Sequence, residues 1–218
     1  MLTVVIPTLN AGETLTACLA TVAGAKEIIV VDGGSTDDTI EVAGKVGARL
    51  IGSAKGRGVQ LMAGGDAATE DWLLFLHADT RLGPAWREAV AAHIDHGPGT
   101  AGYFRLRLDD GAWQARVIEK GVAARTAVFG LSYGDQGLLI SRSLYQAVGG
   151  FRPLPLMEDV DLVRRIGRPR LKMLGECAWT SAARWRRDGW IRRSARNLAC
   201  LGLYAIGVAP EKIAEYYS

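Results

Sequence analysis

The stretch that decides the fold is WLLFLHADT, residues 72–80. Its five leading apolar residues are followed by polar ones, a pattern typical of a strand buried on both faces of a parallel sheet. His77 and Asp79 would then emerge at the carboxyl end of the strand, where open α/β sheets bind their ligands. An aspartate there can hold a divalent metal, and the metal can hold a diphosphate. Alternatively, Asp79-Thr80 only turns the chain toward a helix that begins near Pro84.

The composition is that of a globular protein with a substantial core. The chain has 218 residues, of which 49% are hydrophobic and 22% charged, and a net charge of +3. Eleven of the 26 basic residues lie between Arg164 and Arg196. This clustering favours an anionic partner, such as phosphate, a membrane surface or nucleic acid, although a solvated helix face explains any single arginine equally well.

Cysteine usage and the chain ends predict a cytoplasmic protein. The three cysteines, Cys18, Cys177 and Cys200, are too scattered for a disulfide framework or a zinc site. The chain begins directly in a predicted strand, without the features of an export signal. The apolar run at 198–209 is too short to span a bilayer.

Strands and helices alternate through the first hundred residues, which predicts a parallel sheet covered on both faces. After His96-Gly97-Pro98-Gly99 the pattern changes, and residues 100–108 alternate with period two, as in a half-exposed antiparallel strand. The predicted strands are 3–6, 27–31, 48–51, 72–76, 100–108 and 138–141. The predicted helices are 13–22, one capped by Ser35 or Thr36, 59–68, 84–94, 112–127, 144–148, one beginning at MEDVDL, and the chain beyond Trp179.

Three predicted strands end in polar residues suited to a nucleotide. Pro7-Thr8-Leu9-Asn10 follows the first, Asp32-Gly33-Gly34 the second, and His77-Ala78-Asp79 the fourth. An acid after the second strand can accept from a base N–H or a ribose hydroxyl, and adjacent glycines let backbone approach a ligand. Neither the dinucleotide fingerprint nor the phosphate-loop motif is present. The loop Lys55-Gly56-Arg57-Gly58 could neutralise a diphosphate, or be an exposed turn.

Four segments, in order, resemble the motifs of glycosyltransferase family 2, whose members invert the anomeric centre and have the GT-A fold. They are VVIPTLN (4–10), EIIVVDGGSTDDT (27–39), LLFLHADT (73–80) and LMEDVDL (156–162). HADT, YGDQG (133–137), PLMEDVDL (155–162) and GVAPEKIAEYY (207–217) further resemble a short bacterial subgroup associated with radical-SAM and selenium or arsenosugar gene neighbourhoods.

The resemblance implies an α/β fold of the GT-A nucleotide-diphospho-sugar transferase type, with a mostly parallel central sheet flanked by helices and a helical C-terminal extension. Residues 1–98 would bind the nucleotide sugar, 99–183 would form the acceptor-binding half of the same domain, and 184–218 the C-terminal helical segment. The implied nucleotide-binding residues are Pro7, Thr8, Asn10, Asp32, Gly34, Arg57, Gln60, Ala78 and Asp79.

The resemblance also implies catalytic and metal-binding roles. Asp159 would be the catalytic base, with Glu158 or Asp161 orienting it, and Asp79 would bind Mg²⁺ or Mn²⁺. Without the other motifs, these three acids could simply complement a helix dipole. His77 stands where the family's Asp-x-Asp motif has its first acid, so it could be a metal ligand, a supporting group or only a strand-end residue. Met62 likewise stands where the family has Asn.

The acceptor side rests on four residues. Asp135 and Gln136 lie in a Gly-rich loop and could line the acceptor pocket or only form its turn. Arg184-Trp185 resembles an Arg-Trp pair of processive family members, although a tryptophan packing a helix onto the core is the alternative. The amphipathic tail from Trp190 to Ala209 could lie on an anionic membrane surface, form a dimer interface or cap the sheet.

The sequence thus predicts a metal-assisted, inverting glycosyltransferase that uses a nucleotide-diphosphate donor, a UDP-sugar above others, with a small-molecule or lipid-linked acceptor. It would be cytoplasmic, either free or peripheral at the inner face of the membrane. Two alternative functions are a nucleotidyltransferase and a nucleotide-sugar-binding protein without turnover. This sequence lacks the signature that nucleotidyltransferases usually carry after the first strand. Nucleic acid is not expected as a partner, because the aromatics of the arginine-rich end are not spaced as a stacking platform.

Overall fold

The computed structural model describes residues 1–217. This part of the chain contains eight strands: β1 Leu2–Thr8, β2 Glu27–Asp32, β3 Arg49–Gly52, β4 Trp72–Phe75, β5 Thr80–Leu82, β6 Ala101–Leu108, β7 Leu138–Ser141 and β8 Leu171–Thr180. Its ten α-helices are α1 Gly12–Val22, α2 Thr39–Lys45, α3 Arg57–Ala67, α4 Trp86–Asp95, α5 Trp113–Phe129, α6 Arg142–Ala147, α7 Glu158–Ile166, α8 Ala183–Asp188, α9 Trp190–Ala205 and α10 Pro210–Tyr217.

All eight strands form one sheet, in the order β3-β2-β1-β4-β7-β6-β8-β5. The first four pair in parallel, as the strand–helix alternation predicts. Beyond β4 the pairing is mixed: β7 runs antiparallel to β4 and β6, β8 runs parallel to β6, and β5 runs antiparallel to β8. One sheet therefore spans both predicted halves, because β5 of the first half pairs with β8 of the second half.

Hydrophobic cores cover both faces of the sheet. Successive side chains of a strand point to opposite faces, so Val4 and Ile6 pack on one side, against α1 and α4. Val5 packs on the other side, against α3, α6 and α7. This two-sided burial explains why β1, β2 and β4 are continuous apolar runs rather than alternating ones.

The helix predicted after Ser35 or Thr36 begins later, at Thr39 with Asp38 as its N-cap. The predicted capping residues are engaged elsewhere. The Ser35 hydroxyl donates to Asp32 and accepts the Asn10 backbone N–H. The Thr36 backbone N–H donates to the Asn10 side chain. These two residues therefore join the loops after β1 and β2 instead of starting a helix.

Two strands, β5 and β8, were not predicted from the sequence. Asp79-Thr80 leads into the three-residue β5, so the predicted turn toward α4 is only partly right. The longer β8 was not predicted, because Gly175 and the exposed Met173 break its apolar alternation. The prediction that β6 is antiparallel therefore holds only for its two pairs with β7, whereas β6 runs parallel to β8 from Ala101 to Leu108.

Candidate functional site

The carboxyl ends of β1 and β2 form a connected polar edge. Thr8 lies opposite Asp32 in the parallel register, and its hydroxyl donates to the Asp32 carboxylate at 3.2 Å. The same carboxylate accepts the backbone N–H groups of Gly34 and Ser35, at 2.9 and 2.8 Å. Burial opposes ionisation of Asp32, but these hydrogen bonds outweigh it, and the pKa of Asp32 lies below its ordinary value. Asp32 is therefore a fixed anion at the edge of the sheet.

The other predicted nucleotide residues on this edge have different surroundings. Pro7 and Ala78 are buried, whereas Asn10 and Gly34 are exposed, and both of the latter have positive φ. Gln60 is buried, and its amide nitrogen donates to the backbone carbonyls of Thr8 and Val31, at 2.6 and 2.8 Å. Gln60 therefore braces β1 against β2, which leaves its nitrogen no free N–H direction toward a phosphate in this conformation.

A cleft lies next to this edge, beyond the end of β4. Seven of the predicted site residues line it, together with residues from the C-terminal helices. They are Arg57, His77, Asp79, Asp135, Asp159, Arg184 and Trp185. Thr8, Asn10, Asp32, Gln60 and Gln136 are not among its lining residues. The structure thus separates the predicted site into a strand-end edge and a charged cleft.

Asp159 enters this cleft from the first turn of α7. The helix begins after Met157, whose φ of 65° is unusual for a residue with a side chain and brings the chain sharply into the helix. The Asp159 carboxylate accepts the backbone N–H of Gly134 at 2.8 Å and that of Val160 at 2.7 Å. Two hydrogen bonds hold its orientation, and its half-buried position keeps it open to the cleft.

Glu158 and Asp161, the other two acids of MEDVDL, form separate ion pairs. Glu158 is fully buried and bonds to the guanidinium of Arg57, at the start of α3. Asp161 pairs with Arg165 at 2.5 Å and Arg152 at 3.2 Å. Glu158 therefore acts on the cleft only through Arg57, and we assign it a positioning role. Asp161 links the first turn of α7 to Arg165 in the last turn and to Arg152 in the preceding loop.

His77 is held neutral against the Gly-rich loop. Burial lowers the pKa of His77 well below its ordinary value, and the charges of Arg57 and Arg184 add to the effect. Its Nε2 is buried without a hydrogen-bond partner among residues 1–217, and a Cβ built on Gly134 would lie 2.3 Å from it. His77 thus packs against Gly134, whose N–H holds Asp159.

We expect Gly134→Ala to destabilise the protein by about 1–3 kcal/mol, because the added methyl group would overlap the His77 ring. It should also lower activity by displacing the N–H that orients Asp159. The double variant Gly134→Ala/His77→Ala should recover most of the stability, since removing the ring makes room for the methyl group. Urea unfolding measures the loss of stability in the single variant and its recovery in the double variant. No recovery in the double variant would contradict this packing.

The residues present suit a metal shared with a phosphate ligand better than a metal held by protein alone. Within residues 1–217, no group of three or more His, Cys, Asp or Glu side chains is placed to hold a metal ion. Asp79 offers one half-buried carboxylate in the cleft, and Mg²⁺ is commonly held by one or two carboxylates plus substrate phosphates. Asp79 therefore fits such a metal. His77 does not fit through Nε2, which packs against Gly134.

Asp135 and Gln136 are neighbours that point into different surroundings. Asp135 lines the cleft, and burial, assisted by the charges of Asp159 and Asp79, raises its pKa to about 6. Gln136 is buried, and its amide bonds to the Phe104 carbonyl and to Thr126. Asp135 can therefore contact a ligand in the cleft, whereas Gln136 holds the loop against β6 and α5.

Arg184 and Trp185 also have different roles. Arg184 lies 3.8 Å from Asp79 across the cleft and is largely exposed. Trp185 is buried, packing with Leu108, Ala115 and Ala182, and it also lines the cleft. The core-packing alternative considered for Trp185 thus accounts for most of its surface, while Arg184 is placed to contact an anionic ligand.

The C-terminal helices complete the cleft, and the sequence analysis did not identify their contribution. Arg193, Asn197 and Cys200 of α9 and Tyr217 of α10 line it, as do Tyr133, Thr180 and Ser181. Thr180 and Ser181 could have been found only with β8. Tyr133 and Tyr217 lie within YGDQG and GVAPEKIAEYY, so the subgroup resemblance carried the only signal for them.

Asp188, at the end of α8, anchors this C-terminal cap. Its carboxylate bonds to Arg193 at 2.7 Å, Arg196 at 3.0 Å and Arg187 at 2.8 Å. The hydrogen bond from Arg187, followed by that from Arg193 and the charges of both, lowers the pKa of Asp188 to about 2. Two arginines of α9 are thereby directed inward rather than toward solvent.

We expect Asp188→Asn to destabilise the cap and to speed proteolysis of α9 and α10 at neutral pH. Because the folded pKa of Asp188 is depressed, its contribution is present above the unfolded value and is lost as the pH falls toward 2. The difference in unfolding free energy between wild type and variant should therefore vanish near pH 2. An unchanged difference across that range would contradict the anchoring role.

Solved structures share this fold. The crystal structure of S. aureus TarS 1–349 superposes with a TM-score of 0.65 at 18% identity, covering 83% of this chain and 60% of that one. Glucosyl-3-phosphoglycerate synthase from Mycobacterium tuberculosis, in complex with Mn²⁺, UDP-glucose and phosphoglyceric acid, gives 0.60 at 23% identity, covering 79% and 68%. At these identities the likeness shows the fold alone. The fold is that of the GT-A glycosyltransferases, as predicted.

The family model named Glycosyl transferase family 2 matches residues 3–139, and the chain belongs to that enzyme family. The PGL/p-HBAD biosynthesis glycosyltransferase of Mycobacterium bovis (strain BCG / Pasteur 1173P2) is 41% identical over 116 residues, 47% of this chain and 45% of the relative. An uncharacterized glycosyltransferase of M. bovis is 36% identical over 96 residues, 44% of each chain. The chain spans about half the length of these curated relatives. Membership of the short bacterial subgroup associated with radical-SAM and selenium or arsenosugar gene neighbourhoods stays a prediction.

Proposed function

We propose that this protein transfers a sugar from a nucleotide-diphosphate donor, a UDP-sugar above others, to an acceptor hydroxyl, with inversion at the anomeric carbon. The observation that carries the proposal is the placement of Asp159. A half-buried carboxylate, oriented by two backbone N–H groups, shares one cleft with Asp79, Arg57 and Arg184. A base thus lies close to groups suited to a diphosphate.

The strand-end edge supports the nucleotide part of the proposal. The fixed carboxylate of Asp32 would accept from the base or ribose, beside Thr8 and the exposed backbone of Gly34. Pro7, Asn10 and Ala78 would shape this edge, and Gln60 would hold β1 and β2 in register. Two solved relatives in fold add support by analogy, since both glucosyl-3-phosphoglycerate synthase and TarS have been solved with UDP-sugars.

The cleft would stabilise the leaving group. Arg57, held by Glu158, and Arg184, opposite Asp79, would face the diphosphate, where fixed positive charge stabilises developing negative charge. Asp79 would hold Mg²⁺ or Mn²⁺, which neutralises phosphate charge when bound. The synthase above was solved with Mn²⁺, which is consistent with such a metal.

Transfer itself would be a single displacement. The acceptor oxygen forms a bond to the anomeric carbon, the bond from that carbon to the diphosphate oxygen breaks, and the acceptor proton passes to the Asp159 carboxylate. Asp135 would line the acceptor side, and Arg184 would reach both substrates. The acceptor would be a small molecule or a lipid-linked one, and the site of action would be cytoplasmic. A homodimer remains part of the sequence-based prediction.

A donor-turnover assay tests the proposal. Labelled UDP-glucose, UDP-N-acetylglucosamine and their GDP, CDP and dTDP counterparts would be incubated with metal and with separate aqueous and lipid extracts. We expect one donor to yield nucleoside diphosphate together with a labelled product of inverted configuration. Donor binding without any product would favour the binding-protein alternative, and retained configuration would overturn the inverting displacement.

A further inference from the structure

Two helices carry apolar stripes on their solvent side, which is unusual for helices that close a globular fold. On α5, Trp113, Val117 and Val128 share one face at helical spacing. On α9, Ile191, Ala195, Leu198 and Gly202 do the same. Seven large side chains on or directly after these helices are more than half exposed: Trp113, Val117, Val128, Phe129, Ile191, Leu198 and Ile206.

The two stripes belong to neighbouring helices. Ala115 and Ile118, in the first half of α5, pack with Trp190 at the start of α9. Leu131, directly after α5, packs with Cys200 further along α9. The two helices are therefore linked near their starts and near their ends through these two clusters, each with its buried face toward the body. We call the exposed apolar residues of the two stripes the apolar face.

The exposed charges carried by α5 and α9 themselves are basic. The α9 sequence contains no acid, and the single acid of α5, Glu119, is buried in ion pairs with Arg107 and Arg116. Lys120 and Arg192 are exposed, and neither forms an ion pair with another residue of the described chain. Exposed apolar side chains on helices that carry exposed cations complement an anionic lipid surface.

We propose that the apolar face docks this protein on an anionic bilayer surface, with the side chains of α5 and α9 inserted among the lipids. The sequence predicted a membrane contact through the arginine-rich tail; the proposal adds α5 to that contact and attributes it to apolar side chains instead of arginines. Arg193 and Arg196 are held inward by Asp188, so the contact is made chiefly by apolar side chains, and by α5 as well as α9. Among residues 1–217, no helix is long and apolar enough to cross a bilayer.

Docking has a consequence for the cleft, which rests on the proposed function. The inner side of α9 contributes Arg193, Asn197 and Cys200 to the cleft, while its outer side carries the apolar stripe. A bilayer on the outer side would therefore lie within the thickness of one helix from the cleft, about 10 Å. Such an arrangement suits an acceptor held in a membrane.

Vesicle flotation tests the docking without any substrate. Wild type is compared with Ile191→Glu, Trp113→Glu and the double variant on phosphatidylglycerol-containing and on pure phosphatidylcholine vesicles. Ile40→Glu is the matched control, because Ile40 is also about half exposed but lies on α2. We expect flotation with anionic vesicles, at least about tenfold weaker partitioning for each variant of the apolar face, and no change for the control.

A second comparison separates apolar insertion from simple charge attraction. Lys120→Gln/Arg192→Gln should weaken partitioning by less than the glutamate variants do, and raising salt to about 0.5 M should leave much of the binding intact. Binding abolished by salt alone would overturn apolar insertion. Equal flotation of wild type and Ile191→Glu, no flotation at all, or a lipid-free dimer broken by Ile191→Glu would overturn the proposal. Because all exchanged positions are exposed, circular dichroism should show native folding for every variant. The flotation result does not depend on donor turnover, so failure of the proposed function would leave it unchanged.

Discussion

Asp159→Asn should lower kcat by about 10²–10⁴-fold while leaving donor affinity nearly unchanged. The amide keeps the size of the carboxylate, but its single oxygen can accept only one of the Gly134 and Val160 N–H groups, which donate to different oxygens of Asp159. It also cannot accept the acceptor proton, so the step that needs a base is lost, whereas the residues proposed to bind the donor are unchanged. The measurement is the initial rate of nucleoside diphosphate release together with donor binding by calorimetry.

The matched control for this prediction lies on the same turn of α7. Asp161→Asn removes a carboxylate that faces Arg152 and Arg165 instead of the cleft. It should reduce stability yet leave kcat within a few-fold of wild type. If Asp161→Asn and Asp159→Asn lose activity equally, the acids of this helix act through folding, and Asp159 is not the base.

Arg57→Met should lower the free energy of unfolding by about 3–5 kcal/mol at pH 7, because it leaves Glu158 charged, buried and without its partner. The double variant Arg57→Met/Glu158→Met should recover most of this loss, since two apolar side chains replace the pair without leaving a charge. Urea unfolding of the wild type, the two single variants and the double variant gives the coupling free energy directly.

The loss in Arg57→Met should depend on pH. Burial raises the pKa of Glu158, and removing Arg57 takes away the charge that opposes this shift. The folded variant therefore binds a proton more tightly than the unfolded chain, whose glutamate titrates near about 4.3. The destabilisation should be full above the folded pKa and shrink as the pH falls toward the unfolded value. A loss of equal size at pH 5 and pH 8 would contradict a buried, unpaired Glu158.

The first half of the fold follows directly from the sequence. Apolar runs without alternation define β1, β2 and β4. The rule that ligands bind at the carboxyl ends of parallel strands predicts the neighbouring positions of Thr8 and Asp32, and the position of Asp79 beyond the end of β4. The second half does not follow so simply. β8 lies in a mixed region, and its pairing with β6 shifts register between Tyr103 and Arg105 of β6, so the residues of β8 lack a clear period.

The candidate site, too, could be predicted from the sequence only in part. Asp159 and Asp79 could be placed by motif, because each lies beside a strand end or helix start. The partners of Glu158 and His77 could not be, since Arg57 and Gly134 are distant in sequence and meet these side chains only through tertiary packing. The inward direction of Arg193 and Arg196 was also hidden, because it depends on Asp188 and not on helical periodicity.

The central claim is a nucleoside-diphosphate site shared by the strand-end edge and the cleft, and thermal unfolding in the presence of nucleotides tests it most directly. UDP, GDP, CDP and dTDP would each be added with Mn²⁺, Mg²⁺ or EDTA to wild type, Asp32→Asn, Asp79→Ala and the exposed control Asp71→Ala. One nucleotide, with UDP expected, at about 100 times its Kd should stabilise wild type and the control by roughly 2.7 kcal/mol. The effect should require metal and be lost in Asp32→Asn and Asp79→Ala. Stabilisation by none of the nucleotides, or an equal shift in all four proteins, would contradict the account.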